Sequence, residues 1–207
     1  MLPHLKQING TYFVTYRLAD SLAKDALARL EEEISQAQMK FPDDMPQDVK
    51  AREIQRVRFQ RIESWLDNGA GSCCLRRADI AGVVAENLRF FDGARYKLHA
   101  WVVMPNHVHA LVTPLGDFSL GGILRTWKQF TARRAKELLA KSGDEWTTES
   151  FWQRESFDRL TRDADERERT VRYIHTNPVK AGLCEKPEDW PWSSAVVAQA
   201  AEPARWT

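Results

Sequence analysis

Two histidines one residue apart, His107 and His109, are the side chains whose type and spacing are best suited to chemistry in this chain. They open the run from His107 to Val112, and the preceding run, His99 to Val103, is equally rich in apolar and β-branched residues. Met104-Pro105-Asn106 between them is turn chemistry, so the two runs read as antiparallel strands joined tightly. Strand side chains alternate faces, which projects both imidazoles to one side while Val108, Ala110 and Val112 keep the opposite parity. Neutral imidazole is a common metal ligand and a strand fixes both rings at little further entropic cost, so the pair suits a divalent cation. Surface or hydrogen-bonded histidines have the same spacing, and a metal site needs a further ligand from elsewhere.

The second informative stretch runs from Tyr173 to Leu183. Tyr173 and Asn177 are four residues apart and share a face if the helix continues, which sets a phenol nucleophile beside an amide oxygen. Pro178 biases Asn177 away from helical geometry, so the alternative is a helix that ends at Thr176 with Asn177 as a terminal cap. Val171 and Ile174 mark the buried side of this helix. Tyr173 lies about 200° around the axis from Val171 and is expected to face largely away from that stripe.

The elements that must hold these groups are legible in outline. Gly10 to Leu18 is β-branched and aromatic and reads as a first strand. A helix follows from a cap at Asp20 or Ser21 to about Gln38, then a loop over Phe41–Pro46. An Arg-rich helix spans Gln47 to Leu66 and stops at Asn68-Gly69. Cys73 to Leu75 reads as a short extended piece, and Ile80 to Phe91 as a helix ended by Asp92-Gly93. After the paired strands, Ser119 caps the clearest helix, Leu120 to Ala140, whose apolar residues recur at three and four. Ser156 to Thr161 reads as a last strand, and Asp163 or Asp165 starts the helix that carries Tyr173.

The 207 residues, 43% hydrophobic and 29% charged, suffice for one core, with an added helical part. A formal charge of +1 lacks the strongly basic balance of a nonspecific nucleic-acid binder, so any such binding must use local patches. Basic clusters occur between Lys50 and Arg61, between Arg125 and Lys136, and from Arg154 to Arg172. Ordinary solvated helix faces produce the same pattern. Three cysteines without a C-x-x-C pair point to a reduced compartment and no structural zinc. No apolar run is long enough to span a bilayer and the first residues lack a signal-peptide core, so a cytoplasmic protein with no membrane partner is expected.

Several segments in order carry a family resemblance. His107-Val-His-Ala-Leu-Val112, preceded by Met104-Pro-Asn106, resembles the histidine motif of the HUH endonuclease superfamily. Lys128-Gln-Phe-Thr131, Phe151-Trp-Gln153, Tyr173-Ile-x-x-Asn-Pro-Val179 and Trp190-Pro-Trp-Ser-Ser194 resemble the segments that follow in the REP-associated tyrosine transposases, single-tyrosine members of that superfamily. The resemblance covers about residues 10 to 195. It implies Mg²⁺ or Mn²⁺ held by His107, His109 and Asn177, with Tyr173 as the nucleophile that cleaves and rejoins single-stranded DNA through a 5′-phosphotyrosine link. The implied partner is hairpin DNA of repetitive extragenic palindromes, bound by a monomer or homodimer. Arg125, Lys128, Arg133 and Arg154 are candidate phosphate contacts. Trp152, Phe157 and Trp192 are candidate stacking rings, although core packing competes for every tryptophan. His175 falls on another helix face and is expected to be noncatalytic, and Phe157 to Leu160 lacks a histidine that some relatives have.

The expected fold is α+β, a ferredoxin-like antiparallel sheet of four or five strands with helices packed on it. The expected organisation is one catalytic domain over residues 1–195, with a helical insertion at about 20–92 to which the resemblance assigns no role, and a tail over 196–207. Two rival functions remain on these residues. One is an inactive, domesticated hairpin-DNA-binding protein, which a covalent DNA adduct excludes. The other is an unrelated metal-dependent hydrolase, which explains neither Tyr173 nor the ordered later motifs.

Overall fold

The structure, a computed structural model, describes residues 10–22 and 24–196; of the expected tail, residues 197–207 lie outside it. The described residues form a four-stranded antiparallel sheet in the order β2-β3-β1-β4, from β1 (Tyr12–Arg17), β2 (Tyr96–Val103), β3 (His107–Pro114) and β4 (Phe157–Leu160). With α3 (Ala78–Phe90) between β1 and β2, and α4 (Leu120–Lys141) between β3 and β4, this is the βαββαβ order of a ferredoxin-like fold. Helix α5 (Ala164–Lys180) follows the last strand, and α1 (Lys24–Gln38) and α2 (Gln47–Asp67) precede α3.

Alternation along the strands divides the core in two. Tyr12, Val14 and Tyr16 of β1, with Val108, Ala110 and Val112 of β3, join residues of α3 and α4 in one cluster. Phe13 of β1, Leu111 of β3 and Ala100 and Val102 of β2 point the other way and meet Ile174 of α5. The register sets Thr15 opposite His109 and Arg17 opposite His107, so both histidines belong to the α5 face. A bulge at His99 in β2 absorbs one residue without disturbing this alternation near the turn. The turn closes with the Met104 amide donating to the His107 carbonyl at 2.8 Å.

Local signals set the helix starts. Ser119 Oγ accepts from the Gly122 amide, and Asp163 Oδ1 accepts from the Glu166 amide at 2.7 Å, so α4 and α5 begin at capped residues. Helices α1 and α2 are zipped by charge: Arg58 reaches Glu31, and Arg61 donates twice to Glu33 at 2.7 and 2.8 Å. The Arg-rich stretch on α2 therefore spends much of its charge on its neighbour helix.

Two local expectations, for Cys73–Leu75 and for Tyr173, are corrected, and the end of the last helix, left open between two alternatives, is decided. Cys73 has φ 52°, a left-handed conformation, and Cys74–Arg76 forms a 3₁₀ turn rather than an extended piece. Helix α5 does not stop at Thr176 but runs through Pro178. So late in the helix the proline forfeits only the amide bond to the Ile174 carbonyl, and the Ala181 amide still donates to Asn177 O at 3.0 Å. Tyr173 does not face away from the core: it packs on Phe13 and His109, because α5 is covered both by the sheet and by α2.

Candidate active site

His107 and His109 are fully buried, and their orientation is fixed by partners on the far side of each ring. Asn106 Nδ2 donates to the carbonyls of Leu66 and Ala70 at 3.1 and 2.8 Å, which settles the amide orientation and leaves Oδ1 to accept from His107 Nδ1 at 2.7 Å. Thr15 Oγ1 lies 2.8 Å from His109 Nδ1. Each ring thus turns Nε2 inward, and the two Nε2 atoms are 3.0 Å apart. Such outer partners fix the tautomer that a metal-binding imidazole needs.

The third group comes from α2. Glu63 Oε2 lies 3.0 Å from His109 Nε2 and accepts a hydrogen bond from the Tyr173 hydroxyl at 2.5 Å. Glu63, His107 and His109 each offer a ligand atom, all within 4.8 Å of one another, in a buried cluster that could hold a metal ion. Asn177, also fully buried, neighbours the Tyr173 hydroxyl one turn along α5, yet neither of its amide atoms completes a hydrogen bond. Glu63 Oε1 is likewise unpartnered. Buried polar atoms without partners cost on the order of 1–3 kcal/mol each, so donors gathered this way fit an oxygen- and nitrogen-binding cation.

Electrostatics follow from burial and from this charge. Burial would raise the Glu63 carboxyl, but His109, His107 and the Tyr173 hydroxyl outweigh it and hold it down to about 2. Burial, then the Glu63 carboxylate, pushes the Tyr173 phenol far above its ordinary value, so it is firmly protonated in the metal-free site. Burial, reinforced by His109, holds His107 neutral, from 6.5 down to about 3. Asp67, one turn beyond Glu63, is raised to about 6 by burial and then by Glu63.

These shifts give a pH dependence with a definite sign. Between about pH 6.5 and 3 the unfolded chain binds a proton that folded His107 refuses, so stability falls as pH drops through that window. Glu63 adds loss of the same sign as pH falls from 4.5 toward about 2, whereas Asp67 opposes between 3.8 and about 6. The metal-free chain is expected to unfold at lower urea near pH 4.5 than near pH 7, and His107→Gln to flatten that difference. An unchanged profile in the variant would remove His107 as its source.

The remaining candidates divide by exposure. Arg125, Arg133 and Arg154 are exposed, Arg133 with a 4.0 Å contact to Glu137 and its guanidinium 5.9 Å from the Phe130 ring centre. Lys128 is held inward, its Nζ donating to the carbonyls of Gln153, Arg154 and Glu155 at 2.9, 3.2 and 3.4 Å, with its pKa lowered by burial to about 8. Its charge stitches α4 to the segment before β4, and Lys128→Met should lower unfolding free energy by about 2 kcal/mol in urea melts because those carbonyls lose their donor. Trp152 is 4% exposed and donates from Nε1 to Thr131 Oγ1 at 2.9 Å, so it is a core ring with no face open to a nucleobase. His175 bonds Ser194 Oγ through Nε2 at 2.8 Å, on a different face from Tyr173.

The His107–His109 pair, Tyr173 and Asn177 all fall within residues 85–177, which match the family described as transposase IS200 like. That segment, 93 of the 207 residues, is similar to the IS200-like transposases. The chain further resembles the REP-associated tyrosine transposases: it is 34% identical over 98 residues to one from Haemophilus influenzae, covering 44% of this chain and 54% of that one. A REP-associated tyrosine transposase of Escherichia coli is 29% identical over 114 residues, 54% of this chain and 62% of the relative. The matched stretches thus span little more than half the length of either relative. A solved structure of a REP-associated tyrosine transposase bound to a REP hairpin aligns over 100% of this chain and 90% of that one, with a TM-score of 0.54 and 18% identity, a likeness of fold. Glu63 lies outside the matched segment, and sequence reasoning missed it.

Proposed function

We propose that this chain is a metal-dependent single-strand DNA endonuclease and transposase that cuts and rejoins DNA beside hairpins through a 5′-phosphotyrosine. What carries this reading is the convergence of a phenol from α5 with two imidazoles from β3 inside one chain, bridged by the Glu63 carboxylate. His107, His109 and Asn177 would hold Mg²⁺ or Mn²⁺, with Glu63 as a further oxygen donor. Such a cation supplies Lewis-acid polarisation of a nonbridging phosphate oxygen and makes the neighbouring phenolate easier to form.

The protein groups account for the rest. Tyr173 Oη attacks phosphorus in line, losing its proton to solvent and forming the Oη–P bond as the P–O3′ bond breaks, and the 3′-oxygen takes a proton from solvent and leaves as a hydroxyl. The phosphodiester energy stays in the new link, so a second 3′-hydroxyl can reverse the step without ATP. Glu63, a carboxylate held to about 2, is too weak a base to take the phenol proton unaided at neutral pH. Its role is to accept from the hydroxyl and hold it in place beside the histidine pair. Arg125, Arg133 and Arg154 would meet phosphates of a hairpin with the sequence character of repetitive extragenic palindromes.

The direct test is incubation with end-labelled hairpin DNA bearing unpaired arms, with and without Mg²⁺, followed by a denaturing gel. A protein-linked fragment that forms only with the metal is the expected result. No adduct on any hairpin would leave a binding protein, and an adduct that survives chelation would remove the metal.

A further inference from the structure

Beside the Tyr173 ring opens a cleft of about 330 Å³ lined by Phe13, Phe59, Tyr173, Arg159, Arg169 and Glu166 among others. That volume is at the small end of ligand sites, about 300–1,000 Å³. Its floor is aromatic and continuous with the proposed catalytic groups: Phe13 stacks on His109 at 5.4 Å and 26°, and meets both Phe59 and Tyr173 edge-on at 5.8 Å and 83°. Phe157 backs Phe59 at 4.4 Å, so the Phe59 ring is braced rather than free to collapse into the opening. The rim is cationic. Glu166 is neutralised by Arg159 and accepts from the Arg162 amide at 2.8 Å, while exposed Arg169 has no ion-pair partner among the described residues.

Resting on the nuclease reading, we propose that this cleft receives the base of one unpaired nucleotide adjoining the scissile phosphate, stacked against Phe59, with Arg169 on a neighbouring phosphate. Aromatic rings next to an unshared guanidinium match one ligand chemistry closely: a planar base on an anionic backbone. The reach is right, because the cleft and the attacking hydroxyl share the Tyr173 ring. The nucleotide seated there would fix the phosphodiester in line with Oη, so the cleft selects where the strand is cut. Phe59 comes from α2, outside the transposase-matched segment, and this gives the helical hairpin a role, because α2 lines the cleft with Phe59 and, one turn on, sets Glu63 beside His109 and the Tyr173 hydroxyl.

The experiment uses the full chain carrying Tyr173→Phe, which keeps the ring but cannot react, and a fluorescein-labelled palindromic DNA hairpin with unpaired 5′ and 3′ arms. Abasic sites are placed at each unpaired position in turn. One position is expected to lose about tenfold in affinity on removal of its base, the size of a single base–aromatic stack. Adding Phe59→Leu, which keeps apolar volume in the core, should abolish the penalty at that position and leave the others as they were. Arg169→Gln, at an exposed residue that does not threaten folding, should weaken the intact hairpin and reduce the salt slope by about one. If Phe59→Leu leaves every abasic penalty intact, or Arg169→Gln leaves the salt slope unchanged, the subsite is overturned while hairpin recognition stands. If the Tyr173→Phe chain binds no hairpin at all, the nuclease reading falls and takes the subsite with it.

Discussion

Tyr173→Phe is expected to yield no covalent protein–DNA product on a denaturing gel while hairpin affinity stays within about twofold of the unmodified chain. The substitution removes one oxygen and leaves the ring that packs on Phe13 and His109. The change in stability should stay within about 1 kcal/mol, because one hydrogen bond is lost while the Glu63 carboxylate keeps its contact with His109. Loss of product with retained binding separates chemistry from recognition, which loss of both would not. Among the other tyrosines, Tyr16 cannot substitute: it is buried on the opposite face of the sheet, and burial drives its phenol far above the ordinary range. Persistence of the adduct in Tyr173→Phe would move the nucleophile off α5 and dissolve the proposed mechanism.

The parts of this arrangement that obey a local rule could be read from the sequence. Period-two alternation through His107 and His109 determines which face they occupy, and Ser119 and Asp163 mark helix starts through capping chemistry that needs only neighbours in sequence. Pro178 left the helix end open because the rule about the residue before proline is local, whereas the cost of a proline in a last turn is one missing bond that burial of Ile174 and of Pro178 itself can outweigh. Tyr173 misled because counting one apolar stripe assumes a helix covered on one side, and α5 is covered on two.

Glu63 was hidden for a different reason. It sits among Arg56, Arg58 and Arg61, where an acid reads as a solvated ion-pair partner, and its contact with β3 is a long-range fact. A usable signal was nonetheless present. Phe59, Glu63 and Leu66 follow the i, i+4, i+7 spacing of one helix stripe, and Glu63 and Leu66 are the residues of α2 that are buried. A carboxylate on an apolar stripe is costly unless a charge or metal meets it, and is therefore worth marking as functional.

His107→Ala and His109→Ala are each expected to abolish cleavage and weaken Mn²⁺ binding, followed by paramagnetic resonance or calorimetry, by about a hundredfold or more. The loss should be graded by position in the site. Asn106→Ala leaves both ligand atoms in place but frees the His107 ring to rotate and strips the Leu66 and Ala70 carbonyls of their donor, so about 10- to 100-fold is expected in metal affinity, with a loss of stability as well. Glu63→Gln retains an oxygen donor but removes the negative charge, so Mn²⁺ should bind more weakly than to the unmodified chain yet more tightly than to either histidine variant. The same substitution relieves the Tyr173 phenol of the carboxylate that raises its pKa, so the phenol should titrate at lower pH in Glu63→Gln by ultraviolet difference absorbance. Equal Mn²⁺ affinity across all four variants would place the cation elsewhere and reduce the histidine pair to a buried hydrogen-bonded couple.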